Sequence, residues 1–156
     1  MRKEIVTDLI KKMPGISYNE IVRKTKLSNG VVSHHIMKLI ENKEIEKEGI
    51  NRGKYFLKKI PKKDRIVILV LRQKTNNEIF KLLMKNSING KIFTQNEISD
   101  EIQKSASTIS VSLRELQKNN IIERIIMNNS SKITNDLGYK ILNENLCAKY
   151  IKKYNL

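Results

Sequence analysis

The chain has 156 residues, with 31 Lys and Arg against 16 Asp and Glu, a formal net charge of +15 and an isoelectric point near 9.9. That balance points to a polyanionic partner, because Lys and Arg gain affinity by displacing counterions from phosphates. Abundant Ile, Lys and Asn are also the composition of AT-rich genomes. One cysteine, Cys147, excludes an intramolecular disulfide and suits a reducing cytoplasm. The longest apolar run, Ile66 to Leu71, is far short of the ~18 residues of a membrane span, and the N-terminus lacks the apolar core of a signal peptide.

Arg2 to Lys12 reads as a first helix, with Ile5, Val6, Leu9 and Ile10 on one face. Met13-Pro14-Gly15 stops it. Ser17, with Glu20 three residues on, forms a capping-box pattern for a short helix from Tyr18 to about Thr25. Lys26-Leu27-Ser28 is a turn, and Ser28 or Asn29 caps a third helix to about Asn42, with Val32, Ile36, Leu39 and Ile40 inward. Ile45 to Glu48, a Gly49 to Gly53 loop and Lys54 to Leu57 then make a hairpin. The stretch from Ile60 to Lys74 opens with a polar break and contains a run, Ile66 to Leu71, rich enough in β-branched residues for a strand. The helix-end and cap chemistry of Arg72-Gln73-Lys74 and Thr75 favours a short linker helix.

The same order then returns. Glu78 to Met84 matches Glu4 to Ile10, and Thr94 takes the capping place of Ser17. Asn96 to Lys104 is a short helix and Ser107 to Asn119 a longer one with Ile109, Leu113 and Leu116 inward. Ile121 to Met127, an Asn128 to Ser131 turn and Lys132-Ile133-Thr134 form a second hairpin. Asp136 opens a long helix to about Tyr154 carrying Leu137, Ile141, Leu146, Tyr150 and Ile151. From Glu20 to Lys47 each landmark recurs 77 positions later, at Glu97 to Arg124, and an internal period of this kind sets the architecture. The expected fold is mainly α with small β-hairpin wings (α+β): two tandem winged helix-turn-helix domains plus a C-terminal helix. The boundaries are 1–60 for the first domain, 61–74 for a basic and apolar linker, and 75–156 for the second domain with its terminal helix.

The segment from Gly15 to Ile36 with Leu39, followed by Gly53-Lys54-Tyr55-Phe56, resembles the tandem winged helix-turn-helix transcriptional regulators of archaea, related to the MarR and ArsR groups. Short euryarchaeal regulators of the archaellum (motility) operon share the layout. The resemblance covers nearly the whole chain and implies double-stranded DNA, at a promoter or operator, as partner. Thr25 and Lys104 depart from it, standing where that family has apolar residues, which implies more weakly anchored short helices.

In such a domain the third helix lies in the major groove and its outward residues meet base edges. Those are Ser28, Asn29, Gly30, Val31, Ser33, His34, Met37 and Lys38, with Gly30 allowing close backbone approach and His35 beside the core stripe. Arg52 and Lys54 flank the wing tip, where phosphate or minor-groove contact is made. In the second unit the equivalent face is Ser105, Ser107, Thr108, Ser110 and Arg114, although hydroxyls at a helix start also read simply as caps. Residues 1–60 carry 14 basic and 7 acidic side chains, 61–74 carry 5 and 1, and 75–156 carry 12 and 8. The first domain with the linker is therefore the expected main reader.

No enzyme is expected. His34-His35 is a poor chelate because adjacent helical side chains diverge by about 100°, and no phosphate-cradling glycine loop follows a strand. No cofactor or metal is implied. The competing class is a winged-helix adaptor, or an architectural or replication protein without strong sequence preference. The C-terminal helix is the candidate dimerisation element, with packing on the second domain as the alternative, and contact with transcription machinery is a further expected partnership. Cys147 reads as a buried small hydrophobe or a redox-sensitive thiol.

Overall fold

Capping side chains at Ser17, Thr94 and Ser105 set where three helices of this chain begin, and residues in left-handed backbone set where several end. In the computed structural model, which describes residues 2–127 and 136–156, the chain is mainly helical with small antiparallel sheets. It divides into two units, Met1–Ile68 and Leu69–Leu156.

In the first unit α1 (Arg2–Lys12) buries Val6 and Ile10 and half-buries Leu9. Ile5, expected inside, is exposed, because one 100° helical step from Val6 takes it off the buried line. After β1 (Ile16–Ser17) the capping box is complete: the Glu20 N–H donates to the Ser17 hydroxyl, and the Ser17 N–H donates to the Glu20 carboxylate at 2.9 Å. It starts α2 (Tyr18–Thr25), which Lys26 ends in left-handed conformation with its N–H on the Val22 carbonyl. Next, α3 (Asn29–Glu41) buries Val32, Ile36 and Leu39. Ile40, expected on that stripe, is exposed, again one step beyond the buried line.

β2 (Ile45–Glu48) and β3 (Lys54–Leu57) pair antiparallel, Ile45 opposite Leu57 and Glu48 opposite Lys54. β1 adds to the other edge of β3, with Ile16 opposite Tyr55. The core collects Val6, Ile10, Ile16, Ile21, Val32, Ile36, Leu39, Ile45 and Tyr55. Each large aliphatic side chain buried there contributes roughly 1.5–3 kcal/mol.

The stretch 61–74 contains a helix, α4 (Lys62–Leu71), and the division between the units falls inside it. Its apolar run is helical rather than extended: Val67, Ile68, Val70 and Leu71 are buried while Ile66 is exposed.

In the second unit α5 (Lys74–Ser87) begins with two buried asparagines. Asn76 and Asn77 donate to the carbonyls of Val70 and Leu71, each at 3.1 Å, and so satisfy the last carbonyls of α4. β4 (Phe93–Thr94), α6 (Gln95–Ile102) and α7 (Ala106–Lys118) follow, then β5 (Ile122–Met127), β6 (Asp136–Ile141) and α8 (Glu144–Tyr154). The sheet order is β4-β6-β5. Ile79, Phe80, Leu83, Phe93, Ile98, Ile109, Leu113, Leu116, Ile122, Tyr139, Cys147 and Tyr150 are buried.

The expected long helix from Asp136 is overturned. Asp136–Ile141 is a strand paired along its length with β5, and only Glu144–Tyr154 is helical. Gly138 lies so close to the Ile92 side chain that a Cβ would collide with it, and Met127 crowds the same space, an approach typical of glycine in sheets. Leu137 and Ile141 therefore belong to the sheet and not to the terminal helix. The second hairpin's return strand is described as Asp136–Ile141, while the expected Asn128 to Ser131 turn and Lys132-Ile133-Thr134 lie outside the described residues.

The 77-residue offset also appears in the backbone. Ser17 and Thr94 both make full capping boxes, and Lys26 and Gln103 both end their helices in left-handed conformation. Lys43 and Asn120 share a positive φ as well, 57° and 53°. Register shows where the two units differ. Ile45 faces Leu57 and Ile122 faces Ile141, so the offset is 77 on the first strand and 84 on the second, with seven residues added between. Thr25 and Lys104, expected to leave the short helices more weakly anchored, each make a polar contact, that of Thr25 within α2 itself. Thr25 donates to the Ile21 carbonyl at 2.8 Å, and Lys104 lies 3.2 Å from the Glu78 carboxylate.

Candidate nucleic-acid interface

The outward side of α3 starts at Ser28, whose extended backbone (φ −65°, ψ 154°) begins the helix without any side-chain capping bond. Asn29, Gly30, Ser33, His34, Met37 and Lys38 are exposed along it, and Val31 is half-buried. Met37 is 58% exposed. A Cβ built on Gly30 would meet nothing within 4 Å. The fold therefore does not require glycine there, and its missing side chain leaves room for something outside the chain. His35 is partly buried, and its ring meets that of His34 edge-on with centroids 5.5 Å apart. No group of three or more His, Cys, Asp or Glu that could hold a metal occurs among the described residues.

The helix start is fixed by a residue that sequence reasoning missed. The Tyr18 hydroxyl donates to the Asn29 carbonyl at 2.7 Å, tying the beginning of α2 to that of α3. In the second unit Gln95 donates to the Ala106 carbonyl at 3.3 Å, the same tie 77 positions on. The signal was present in the repeat: both positions follow the N-cap and carry a long side chain with a terminal donor.

Tyr18 also lines a groove of about 840 Å³ between the start of α2 and the hairpin, with Ser17, Asn19, Lys47, Arg52 and Lys54 among its walls. Arg52 is exposed, while the Lys54 ammonium lies 3.7 Å from Glu20 and is half-screened. Lys47, absent from the expected set, lies across Gly53 so closely that a Cβ there would collide with it, and donates to the Ile50 carbonyl at 3.1 Å. Burial, and then neighbouring Tyr18, pushes the Tyr55 phenol above its ordinary value, so it stays protonated.

In the second unit the equivalent residues are occupied differently. The Ser105 hydroxyl accepts from the Thr108 N–H and lies 3.0 Å from the Ser107 hydroxyl and 2.8 Å from that of Thr108. The capping reading of these residues thus describes their contacts. Ser110 is half-buried, and Arg114 and Val111 are exposed. Glu115, at the place of Lys38, receives Gln73 at 2.8 Å and Asn76 at 2.9 Å.

On α8, Cys147 is buried and desolvation pushes its thiol up to about 11, so it is a neutral core group rather than a thiolate. The exposed residues of that helix are polar: Glu144, Asn145, Lys149, Lys152 and Lys153. Among the described residues no helix is long and apolar enough to cross a membrane.

A comparison with curated proteins finds no match. Residues 1–68 match a family model described as an N-terminal HTH domain, and those are the bounds of the first compact unit. Helix-turn-helix domains hold DNA through their second helix, so α2 and α3 are similar to that motif and DNA is the partner the match suggests.

Proposed function

We propose that this chain is a sequence-specific, double-stranded-DNA-binding transcriptional regulator of two winged helix-turn-helix domains, with the first as principal reader. The observation that carries the reading is the outward face of α3. There Ser28 makes no capping bond, Gly30 has open space before it, and Ser33, His34, Met37 and Lys38 stand exposed together. A hydroxyl, an imidazole and an apolar tip are the kinds of group that meet base edges and thymine methyls in the major groove. Arg52 on the adjacent hairpin would hold a phosphate, and Lys54, half-screened by Glu20, would assist. The chain acts by binding rather than catalysis, as a homodimer at a promoter or operator, and touches transcription machinery there. The archaeal tandem regulators, including those of the archaellum operon, are the group in which we place it.

A second reading has its own support. Where α3 has His34 and Lys38, α7 has Val111 and a Glu115 already bonded within its unit. Such a face suits a protein surface as well as a groove, so an adaptor or architectural role is the alternative for the second unit. Selection of bound duplexes from a random pool at two salt concentrations separates the readings. A defined motif that persists at higher salt is expected. Unselected DNA that is lost as salt rises would overturn sequence-specific regulation.

A further inference from the structure

One cation of the 61–74 stretch is turned inward. Arg65 on α4 is 3% exposed. Its Nη1 donates to Glu46 at 2.8 Å and to Glu48 at 2.5 Å. Nε donates to the Ile60 carbonyl at 2.9 Å and Nη2 to that of Lys58 at 3.5 Å. The guanidinium also lies 5.5 Å from the centroid of the Phe56 ring. One side chain thus holds both hairpin strands, β2 through its carboxylates and β3 through an aromatic face and the chain that follows it.

Alternation along β2 makes this possible. Glu46 and Glu48 are two residues apart and share a face, while Lys47 between them takes the other. Lys47 there covers Gly53 and reaches the Ile50 carbonyl at the hairpin tip. A two-stranded ribbon is marginal by itself, and β1 contributes only two residues to the sheet. The direction of β2, and with it of Arg52 at the tip, depends on contacts made by side chains.

We propose that Arg65 is the positioning residue of the wing. From inside the domain it sets the angle at which the β2–β3 loop meets the duplex, and it does not itself touch DNA. The inference rests on the DNA-binding reading above. A positive charge counted in the sequence toward the electrostatic footprint is, on this account, neutralised at home, and its effect on DNA is mechanical.

The test uses the full chain carrying Arg65→Met, Glu46→Thr and Glu48→Thr together. Removing all three leaves no charge buried alone, Thr suits a strand, and the net charge rises by one. The expected result is a folded protein whose Lys54 and Phe56 amides, which face β2 in the antiparallel register, exchange about tenfold faster or more. Affinity for the selected duplex should fall about tenfold and the salt slope by about one to two. Unchanged exchange in the hairpin overturns the proposal, and so does binding as tight as or tighter than wild type, which the added charge alone would give. Should the triple variant fail to fold, Arg65→Lys, which retains a single ion pair, carries the same test. Intermediate exchange is expected of it, and wild-type exchange would overturn the positioning role. If wild-type protein binds no duplex, the DNA-binding reading fails, while exchange still decides whether Arg65 holds the hairpin.

Discussion

Ser28 and Ser105 stand at the same place in the two units, and their hydroxyls do different things. Ser105 is bound into a network with Ser107 and Thr108, whereas Ser28 begins its helix with no side-chain capping bond. Gly30, two residues on, is a sharper probe, since nothing in the fold fills the space a side chain would take. Gly30→Ala should stabilise the protein by about 0.5–1 kcal/mol, because alanine loses less backbone entropy on entering a helix. The same change should weaken DNA binding, and thermal unfolding and titration with the selected duplex read the two effects separately. A variant that gains stability and binds as wild type would show that no close approach occurs at Gly30. His34 and Arg52 belong to a contrasting pair. His34→Ala is expected to change which sequences are selected, while Arg52→Ala should weaken binding to all of them and lower the salt slope by about one. Equal losses on every sequence for both would remove His34 from the base-reading set.

The hairpin of the first unit is the element whose stability is tied to pH. The hydrogen bond from Arg65 holds the Glu46 carboxyl below its ordinary value of 4.5; burial opposes the shift, and the charges of Arg65, Lys62 and Lys58 reinforce it. A carboxylate whose folded value lies below its unfolded one contributes stability that is present above the unfolded value and lost as pH falls through the folded one. Urea midpoints measured from pH 6 down to pH 3 should therefore fall across the acid end of that range. Glu46→Gln should flatten the fall, and an identical profile for the variant would remove Glu46 from the linkage. The terminal helix illustrates a different point about elements. Once Leu137 and Ile141 belong to β6 and Cys147 and Tyr150 are buried, the exposed side of α8 is polar. The apolar surplus that suggested a dimer interface is reduced accordingly.

For the whole molecule the two units offer unequal faces. On α3 the exposed set ends in Met37 and Lys38, and on α7 the matching places hold Arg114 and a Glu115 bonded to Gln73 and Asn76. Arg114→Ala is therefore expected to change affinity for the selected duplex less than His34→Ala does, in titrations at one salt concentration. A larger loss for Arg114→Ala would make the second unit the principal reader.

Periodicity, capping and the internal repeat determined the order of the helices through Lys118 but not the two-residue strands β1 and β4, because those signals are local: a capping box needs four residues and a buried stripe a few turns. They gave α1 to α3 and the first hairpin nearly residue by residue. They also identified the outward residues of α3 that the proposed interface uses. The strand at Asp136–Ile141 was not legible, since its alternation is short, its glycine reads as a break, and its partner β5 lies beyond the 128–135 segment. Ile5 and Ile40 were assigned inward because periodicity gives a stripe's direction but not its width, which the neighbouring elements decide. Tertiary structure alone decided which charges are available. Arg65 faces two carboxylates, Lys54 leans on Glu20, and the hydroxyls of α7 bind one another. A sequence lists charges and hydroxyls without their partners. Long-range pairing, 17 or 34 residues apart in the cases of Glu48–Arg65 and Glu20–Lys54, exists only once the chain has folded.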